Sequence, residues 1–515
     1  MYMTQALHRL VQQEPDRPLT VCQGRVRTAA ESADRVARLA GALRSAGVGP
    51  GDRVGMLSLN SDCYHEFLLG VPWAGAVVNP VNIRWSPAEV AYSLVDCDTR
   101  VLLVDDAFAP AIPALRKQAP CLQTVIFCGQ GPQPGSTLHY EQLLAENPPA
   151  PDAHRRGGDL YGVFYTGGTT GHPKGVMLSH DNLLVSAMGT MATAALQSRG
   201  GSLLHAAPMF HLADVAMWIT GMLAGCTHVI VPMFTPAAVA AAISEHQVTD
   251  LLLVPTMIQM LIDAPETADA DLTSVQRIIY GASPISAALL DRARKRLESA
   301  AFTQAYGMTE LAPVATLLSP ADHQDRGLAR AAGRAAVHAE IRIVGPDDQE
   351  LPREEVGEIA VRGDNVMLGY WNMPEETAAA LRGGWMHTGD AGYLDDRGYL
   401  FIVDRLKDMI ITGGENVYSA EVENALAKHP AVAACAVIGI PDARWGERVH
   451  AVVVRQPGQH ATSQELQEFC RGHLAGYKLP RSIAFADALP MSGAGKILKR
   501  ELRSRYWDAT DRNVS

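Results

Sequence analysis

The chain has no excess of positive charge, no paired cysteines and no unbroken apolar run long enough to cross a membrane. Each absence excludes something. Against 55 acidic residues stand 44 basic ones, a net charge of −11, whereas a protein that works on nucleic acid normally turns a basic face to the phosphates. No nucleic-acid partner is expected, although a local basic pocket for one nucleotide is compatible with this total. The eight cysteines (Cys22, Cys63, Cys97, Cys121, Cys128, Cys226, Cys435, Cys470) are scattered, with no CxxC pair and no zinc-like spacing. They read as free thiols in a reducing cytoplasm. The most apolar long stretch, residues 218–234, is broken by Thr220, Thr227 and His228. It is short for a membrane helix, which needs roughly 20 residues, and reads as buried helix and strand. The opening MYMTQALHRLVQQEPDRP has no apolar segment behind a basic flank, so no signal peptide is expected. A solenoid period is also missing.

What is present describes a soluble globular chain, 47% hydrophobic and 19% charged. Its 515 residues exceed one ordinary core, so at least two domains are expected. Strand-like apolar runs occur at Arg53–Leu57, Val101–Val104, 124–128, 251–254, 341–344 and 451–454. Ala-, Leu- and Arg-rich segments at helical spacing, such as 29–46 and Pro236–His246, lie between them. Such alternation predicts a layered α/β architecture with mostly parallel sheets. A Gly/Asp-rich hairpin over 393–400 leads into a strand over 398–403. A domain boundary is expected near 404–407, followed by a small domain of about a hundred residues.

The strongest local signal is YTGGTTGHPKG, residues 165–175, directly after the strand-like 160–164. Thr166, Gly167, Gly168, Thr169, Thr170 and Gly171 crowd together before Lys174. Glycines let backbone N–H groups turn toward an anion, threonine hydroxyls add donors and the lysine adds charge. The order is not that of a Walker A loop, and a plain surface turn is the alternative reading. The density of Thr, Gly and Lys favours a polyphosphate cradle.

This segment resembles the phosphate-binding loop of the adenylate-forming (AMP-binding) superfamily, which includes acyl-CoA synthetases and aryl-CoA ligases. Four more motifs follow in that family's order. Gly281-Ala282-Ser283-Pro284 is similar to the turn laid against adenine, though by itself it would read as an ordinary turn before a helix capped by Ser286. Ala305-Tyr306-Gly307-Met308-Thr309-Glu310 contains the YGxTE string. The resemblance implies adenine stacking for Tyr306, α-phosphate contact for Thr309 and magnesium binding by Glu310 with Thr170; a hard cation on phosphate suits a carboxylate. Trp385-Met386-His387-Thr388-Gly389-Asp390 implies a ribose-binding Asp390, with Ile402 and Arg405 beside the nucleotide. Lys407 falls at the family's hinge, where a solvated linker lysine is the plain alternative. Ser492-Gly493-Ala494-Gly495-Lys496 implies that Lys496 neutralises charge on the reacting carboxylate and α-phosphate. Lys496, Thr309, Glu310 and Lys174 are thus the expected catalytic set.

The resemblance extends to coenzyme A. Thr412, Gly413 and Gly414 resemble the loop that lines a pantetheine tunnel. Trp445, Tyr477, Lys478 and Arg84 are similar to residues that meet the CoA nucleotide, although simple packing also accounts for Trp445. Two departures are visible. Gly167 stands where the family has serine, and Ala305 is a small residue beside the acyl tunnel. His211 is either at the mouth of the acid pocket or a buried, hydrogen-bonded histidine. Leu212, Ala213, Val215, Trp218, Thr256 and Tyr280 are expected to line that pocket, which carries no charge to recognise an amino group or a second carboxylate.

The fold implied is acyl-CoA synthetase-like: a large N-terminal domain of layered sheets and helices, residues 1–404, and a small mobile α+β C-terminal domain, residues 405–515, that carries Lys496. The activity implied is Mg-ATP-dependent conversion of a fatty or aryl acid to an acyl-adenylate, then thioester formation with CoA. The alternatives are transfer to a carrier protein, or a non-catalytic nucleotide-binding homologue. The enzyme is expected in the cytoplasm, as monomer or homodimer, without stable membrane insertion.

Overall fold

The computed structural model describes residues 1–166, 173–194, 196–283, 285–413, 415–442, 444–491 and 497–507, and for Lys407 and Asn416 the backbone alone. The chain forms two compact units, Met1–Ile341 with Val361–Met386, and Arg342–Ala360 with the residues from His387 onward.

The first unit holds two large, mostly parallel sheets. In one, Val77–Pro80, Arg53–Leu57, Val101–Val104 and Thr124–Phe127 run parallel in that order. Leu160–Thr166 lies parallel to Val77–Pro80 on its other side and pairs antiparallel with Lys174–Ser179. In the other, Thr227–Ile230, Ser202–His205, Asp250–Leu252, Arg277–Gly281 and Ala301–Gly307 are parallel neighbours, and Val314–Leu318 runs antiparallel beyond them. Strands such as Val101–Val104 are buried along their whole length, which is why they read as continuous apolar runs. The expected strands 53–57 and 101–104 and the helix Pro236–His246 appear with those bounds. The expected 251–254 shifts to Asp250–Leu252, because Val254 and Pro255 begin the helix Pro255–Asp263 and proline suits a first helical position. The stretch 218–234 divides at Gly225, left-handed at φ 70°, into the end of the helix Leu212–Ala224 and the strand Thr227–Ile230. Among the described residues no helix is long and apolar enough to cross a membrane.

The helix Asp62–Ala74 is buried throughout and still carries two carboxylates and a histidine. Each carboxylate is partnered, as buried charge requires. Arg25 donates twice to Asp62, at 2.8 and 3.0 Å, and Arg35 grips Glu66 together with the Tyr140 hydroxyl at 2.6 Å. His65 accepts a hydrogen bond from the Trp218 indole at 2.9 Å.

Most of a sheet ordered Glu340–Val344, Gly357–Arg362, Met386–Leu394, Leu400–Arg405 falls within the second unit. A further sheet is built on the long hairpin Val432–Asp442 and Gly446–Arg455, with Ile410–Thr412 antiparallel and Ser482–Phe485 parallel to its second strand. Helices Ser419–Leu426 and Ser463–Arg471 contribute to its own core, which includes Ile410, Val422, Val437, Val449 and Leu466. A layered α/β unit followed by a small α+β unit is the fold class expected. The expected boundary at 404/405 falls inside the second unit; it concerns movement, on which compactness does not bear.

Burial holds the pKa of His65 at about 3. Between that value and the ordinary imidazole range near 6.5 the unfolded chain binds a proton that the folded chain refuses, so stability falls as pH drops through this window. His65→Asn keeps an acceptor for Trp218 and removes the titration. It should reduce the loss of unfolding free energy between pH 6.5 and 5 by about 2 kcal/mol, measured by chemical unfolding at each pH.

Candidate active site

Two adjacent parallel strands bring two of the nucleotide motifs together. Arg277–Gly281 pairs with Ala301–Gly307 so that Gly281 faces Ala305. A Cβ on Gly281 would lie 2.3 Å from the Ala305 carbonyl oxygen, so only glycine allows this approach. Ala282 follows at φ 65°, a left-handed conformation that turns the chain away from the strand. Tyr306, Gly307, Met308 and Thr309 lie at the end of the neighbouring strand and are half-buried. Gly307 is equally constrained, since a Cβ there would lie 1.9 Å from the Pro313 carbonyl.

Past Gly307 the chain makes a short turn, Thr309–Leu311, that buries the Glu310 side chain. The Tyr370 hydroxyl donates to Glu310 Oε1 at 2.9 Å, and Lys174 Nζ sits 4.9 Å from the centre of the Tyr370 ring. Burial beside the Glu310 carboxylate pushes the Tyr370 phenol far above its usual range, so it remains a hydrogen-bond donor. Lys174 itself pairs with Thr166 across the hairpin, and Trp371 N–H donates to the Gly175 carbonyl at 2.7 Å. The structure thus assembles Lys174, Tyr370 and Glu310 from three distant segments. Gly167, Gly168, Thr169, Thr170, Gly171 and Lys496 lie outside the described residues, as does Gly414.

The donor chemistry at Glu310 fits magnesium rather than a softer ion. A buried carboxylate and the nearby Thr309 supply oxygen, and among the described residues no cluster of three His, Cys, Asp or Glu includes Glu310. One carboxylate plus substrate phosphates is a usual magnesium arrangement.

In the second unit the strand register sets Asp390 opposite Arg405, with Nε 3.3 Å from Oδ1. Thr388 Oγ1 donates to the Ile359 carbonyl at 2.8 Å and receives the Asp390 N–H at 3.1 Å, and Gly389 takes φ 70° between them. Ile402 is on the same strand as Arg405 and is 39% exposed. The backbone of Lys407 lies in the turn Leu406–Asp408. Asp404 accepts hydrogen bonds from Ser419 N–H, from Ser419 Oγ at 2.7 Å and from Ala420 N–H at 3.3 Å, which ties its strand to the start of the helix Ser419–Leu426.

Thr412, Gly413 and Trp445 also meet. Gly413 N–H donates to the Trp445 carbonyl at 2.8 Å, and a Cβ on Gly413 would come within 2.7 Å of the indole. Arg444 and Arg481 place their guanidinium carbons 4.8 and 4.9 Å from the indole centre. Tyr477 is partly exposed, and Lys478 is paired with Glu421 at 2.7 Å. Arg84 is an exposed residue of the first unit.

The residues expected around the acid divide. His211 caps the helix Leu212–Ala224, its Nδ1 3.5 Å from the Ala213 N–H; Leu212, Val215 and Trp218 are buried and Ala213 is half-buried. Thr256 is exposed on the helix Pro255–Asp263. Tyr280 is buried with its hydroxyl 2.8 Å from His323 Nε2 and 3.2 Å from Gln304 Oε1. Behind His211, Asp214 holds His205 Nδ1 at 2.8 Å and His205 Nε2 meets His228 Nδ1 at 2.8 Å. Asn60 clamps the same turn by accepting Met209 N–H at 2.7 Å and donating to the Ala207 carbonyl at 2.8 Å. Tyr370, Arg481, His205 and Asn60 had not been singled out from sequence. The aromatic pair Tyr370-Trp371 after Gly369 is the one local feature that could mark a short strand there.

A family model for the AMP-binding enzymes matches residues 7–371, and one for the AMP-binding enzyme C-terminal domain matches 421–496. The chain belongs to the AMP-binding enzymes. A feruloyl-CoA synthase of an Amycolatopsis species is 42% identical over 486 residues, 94% of each chain. A fatty acid–[acyl-carrier-protein] ligase, ScoC of Streptomyces coeruleorubidus, is 37% identical over 98% of this chain and 96% of its own. The crystal structure of the anthranilate CoA ligase AuaEII with anthranoyl-AMP superposes with a TM-score of 0.89 at 26% identity, covering 98% and 97% of the two chains. The protein is accordingly an acid–thiol ligase, whose family reaction is adenylation of a carboxylic acid with ATP followed by thioester formation with CoA.

Tyr370→Phe removes one hydrogen bond to Glu310 while keeping the ring beneath Lys174. ATP–pyrophosphate exchange should slow by about three- to tenfold, the loss of roughly 1 kcal/mol, with a higher magnesium requirement. An unchanged magnesium dependence would show that Glu310 does not need this partner.

Proposed function

We propose that the enzyme activates an apolar carboxylic acid of the aryl or fatty class and passes the acyl group to free CoA. The observation that carries the first step is the assembly of Glu310 with Tyr370 and Lys174 directly after the Gly307 turn. Through Tyr370 it links a carboxylate for magnesium, from the turn that leaves one sheet, with a cation for phosphate on an outer strand pair of the other. The feruloyl-CoA relative supports the acid class and the acceptor.

In this reading the acid carboxylate attacks the α-phosphate of ATP, forming a P–O bond to the acid as pyrophosphate leaves. The chain's task is positioning and charge neutralisation. Thr166, Gly167, Gly168, Thr169, Thr170 and Gly171 hold the phosphates. Tyr306 stacks on adenine beside Gly281, Ala282 and Ser283, and Asp390 and Arg405 hold the ribose. Magnesium, when bound by Glu310 and Thr170, neutralises phosphate charge. Lys496 meets the negative charge that grows between carboxylate and phosphate. The small domain then pivots at Lys407, and the CoA thiol attacks the acyl carbon while AMP departs. Trp445, with Arg444 and Arg481 close to its ring, offers an indole and cations to a phosphorylated purine. Eight free cysteines suit a reducing cytoplasm.

Acid-dependent AMP release with Mg-ATP, measured over fatty, benzoic and cinnamic acids with and without free CoA, tests the proposal. Release that requires CoA, with one acid class well ahead, is expected. The 37% identity to ScoC favours a second acceptor; release stimulated by a phosphopantetheinylated carrier protein and not by CoA would select it.

Lys496→Ala should lower adenylate formation by about a hundredfold or more, the scale of removing one preorganised electrostatic partner. Thioester formation from supplied acyl-AMP should survive. Equal losses in both half-reactions would contradict the role given to Lys496.

A further inference from the structure

A cluster of metal-type donors lies in the first unit among residues to which the proposed reaction assigns no task. We propose that His8, Asp152 and His154 bind one divalent transition-metal ion of the zinc class. His8 is on the helix Gln5–Gln13, and Asp152 and His154 belong to the segment that runs into the strand Leu160–Thr166. One ligand atom from each lies within 4.8 Å of the others. His8 Nε2 is 2.8 Å and His154 Nδ1 3.7 Å from the same Asp152 oxygen. The Asp152 side chain is 2% exposed, whereas those of His8 and His154 are 37% and 57% exposed. The cluster therefore has a buried anionic floor and a side open to water.

An ordinary hydrogen bond between His8 and Asp152 is the simpler account, and it leaves much of the arrangement without a purpose. Asp152 is oriented from behind, as a ligand must be: Thr4 Oγ1 donates to Oδ2 at 2.5 Å and His154 N–H to Oδ1 at 2.8 Å. Both imidazoles are held by aromatic neighbours. His8 packs 4.6 Å from Trp73, and His154 lies edge-on 5.1 Å from Tyr2. The segment is itself anchored, since the Trp73 indole donates to the Ala150 carbonyl at 2.9 Å and Ala153 N–H to the Trp73 carbonyl at 3.0 Å.

Tetrahedral ligands about 2.1 Å from an ion are about 3.4 Å from one another. The Asp152–His154 distance is close to that already, and the exposed His154 ring can supply the remaining closure. Two imidazole nitrogens and one carboxylate oxygen, with water in the fourth place, select zinc, cobalt, nickel or copper over magnesium. The site is therefore distinct in chemistry from the magnesium position at Glu310. Its ion would clasp the helix Gln5–Gln13 to the segment that feeds the phosphate-loop strand.

Isothermal titration of zinc chloride into the tag-free, chelator-treated full chain, near pH 7.5 and without nucleotide, tests this. One ion per chain is expected. His154→Ala should weaken binding by at least about tenfold, since loss of even an outer partner of a metal ligand costs that much. His8→Ala should do the same, and His460→Ala, an exposed histidine of the second unit, should change nothing. Cobalt should give the visible absorption of a four-coordinate nitrogen–oxygen site, absent from the His8→Ala/His154→Ala double variant. Absence of saturable one-to-one binding, or binding that persists in the double variant, overturns the proposal. Because His154 is mostly exposed, its variant carries the test even if His8→Ala fails to fold.

Discussion

The nucleotide-handling part of the first unit depends on how closely two parallel strands approach. Where Gly281 faces Ala305, a single methyl group would collide with a carbonyl, and two residues later in the neighbouring strand Gly307 meets the same restriction against Pro313. Backbone crowding of this kind is non-negotiable, because a carbonyl oxygen on a paired strand cannot swing aside as a side chain does. It fixes where the turn at Ala282 leaves the sheet and where the turn at Thr309 begins. Glu310 is buried as a consequence, and a buried carboxylate demands a partner. Tyr370 supplies it from a segment sixty residues away in sequence.

The same logic explains what could be read from the sequence and what could not. Covered parallel strands announce themselves because both faces must be apolar, so 101–104 was legible as a run of Val and Leu. The motifs 306–310 and 385–390 were legible because their spacing is local. The pairing of Asp390 with Arg405 follows from one hairpin. Tyr370, Arg481 and Asn60 were not legible, because nothing local in the sequence marks a side chain whose partner is distant in the chain. Tyr280 illustrates the limit in another way. Its type and position suggest a pocket wall, and no local feature of the sequence shows that its hydroxyl is engaged by His323 and Gln304, residues contributed by other segments.

Buried polarity in the first unit is organised in chains rather than in isolated pairs. Asp214, His205 and His228 form one, and His65, which accepts from Trp218, packs its ring 5.3 Å from His228 at its end, all fully or almost fully buried. An apolar core would serve stability as well or better. What such chains add is direction. Asp214 sits in the first turn of the helix that His211 caps, so its bond to His205 sets the rotation of that turn against the strand Ser202–His205. Asn60 fixes the intervening backbone from the other side. Such definition fixes the direction in which the first turn of that helix presents its side chains.

In the second unit, fastening is concentrated around the turn that follows Asp404. Arg503 binds Asp408 at 2.7 Å, and Lys499 reaches Glu423 at 2.7 Å and Ser419 at 2.6 Å. Ser419 also caps onto Asp404. The bridge between Met491 and Ile497 brackets the stretch that contains Lys496. Asp404, before Lys407, and Lys499, just after Lys496, are therefore tied to the same helix, Ser419–Leu426, while Asp408 is tied to Arg503. If the small domain pivots at Lys407, these ion pairs require the chain following Lys496 to travel with that helix instead of moving independently. Lys499 is the residue that makes this coupling, since it spans Glu423 and Ser419 from only three positions beyond Lys496.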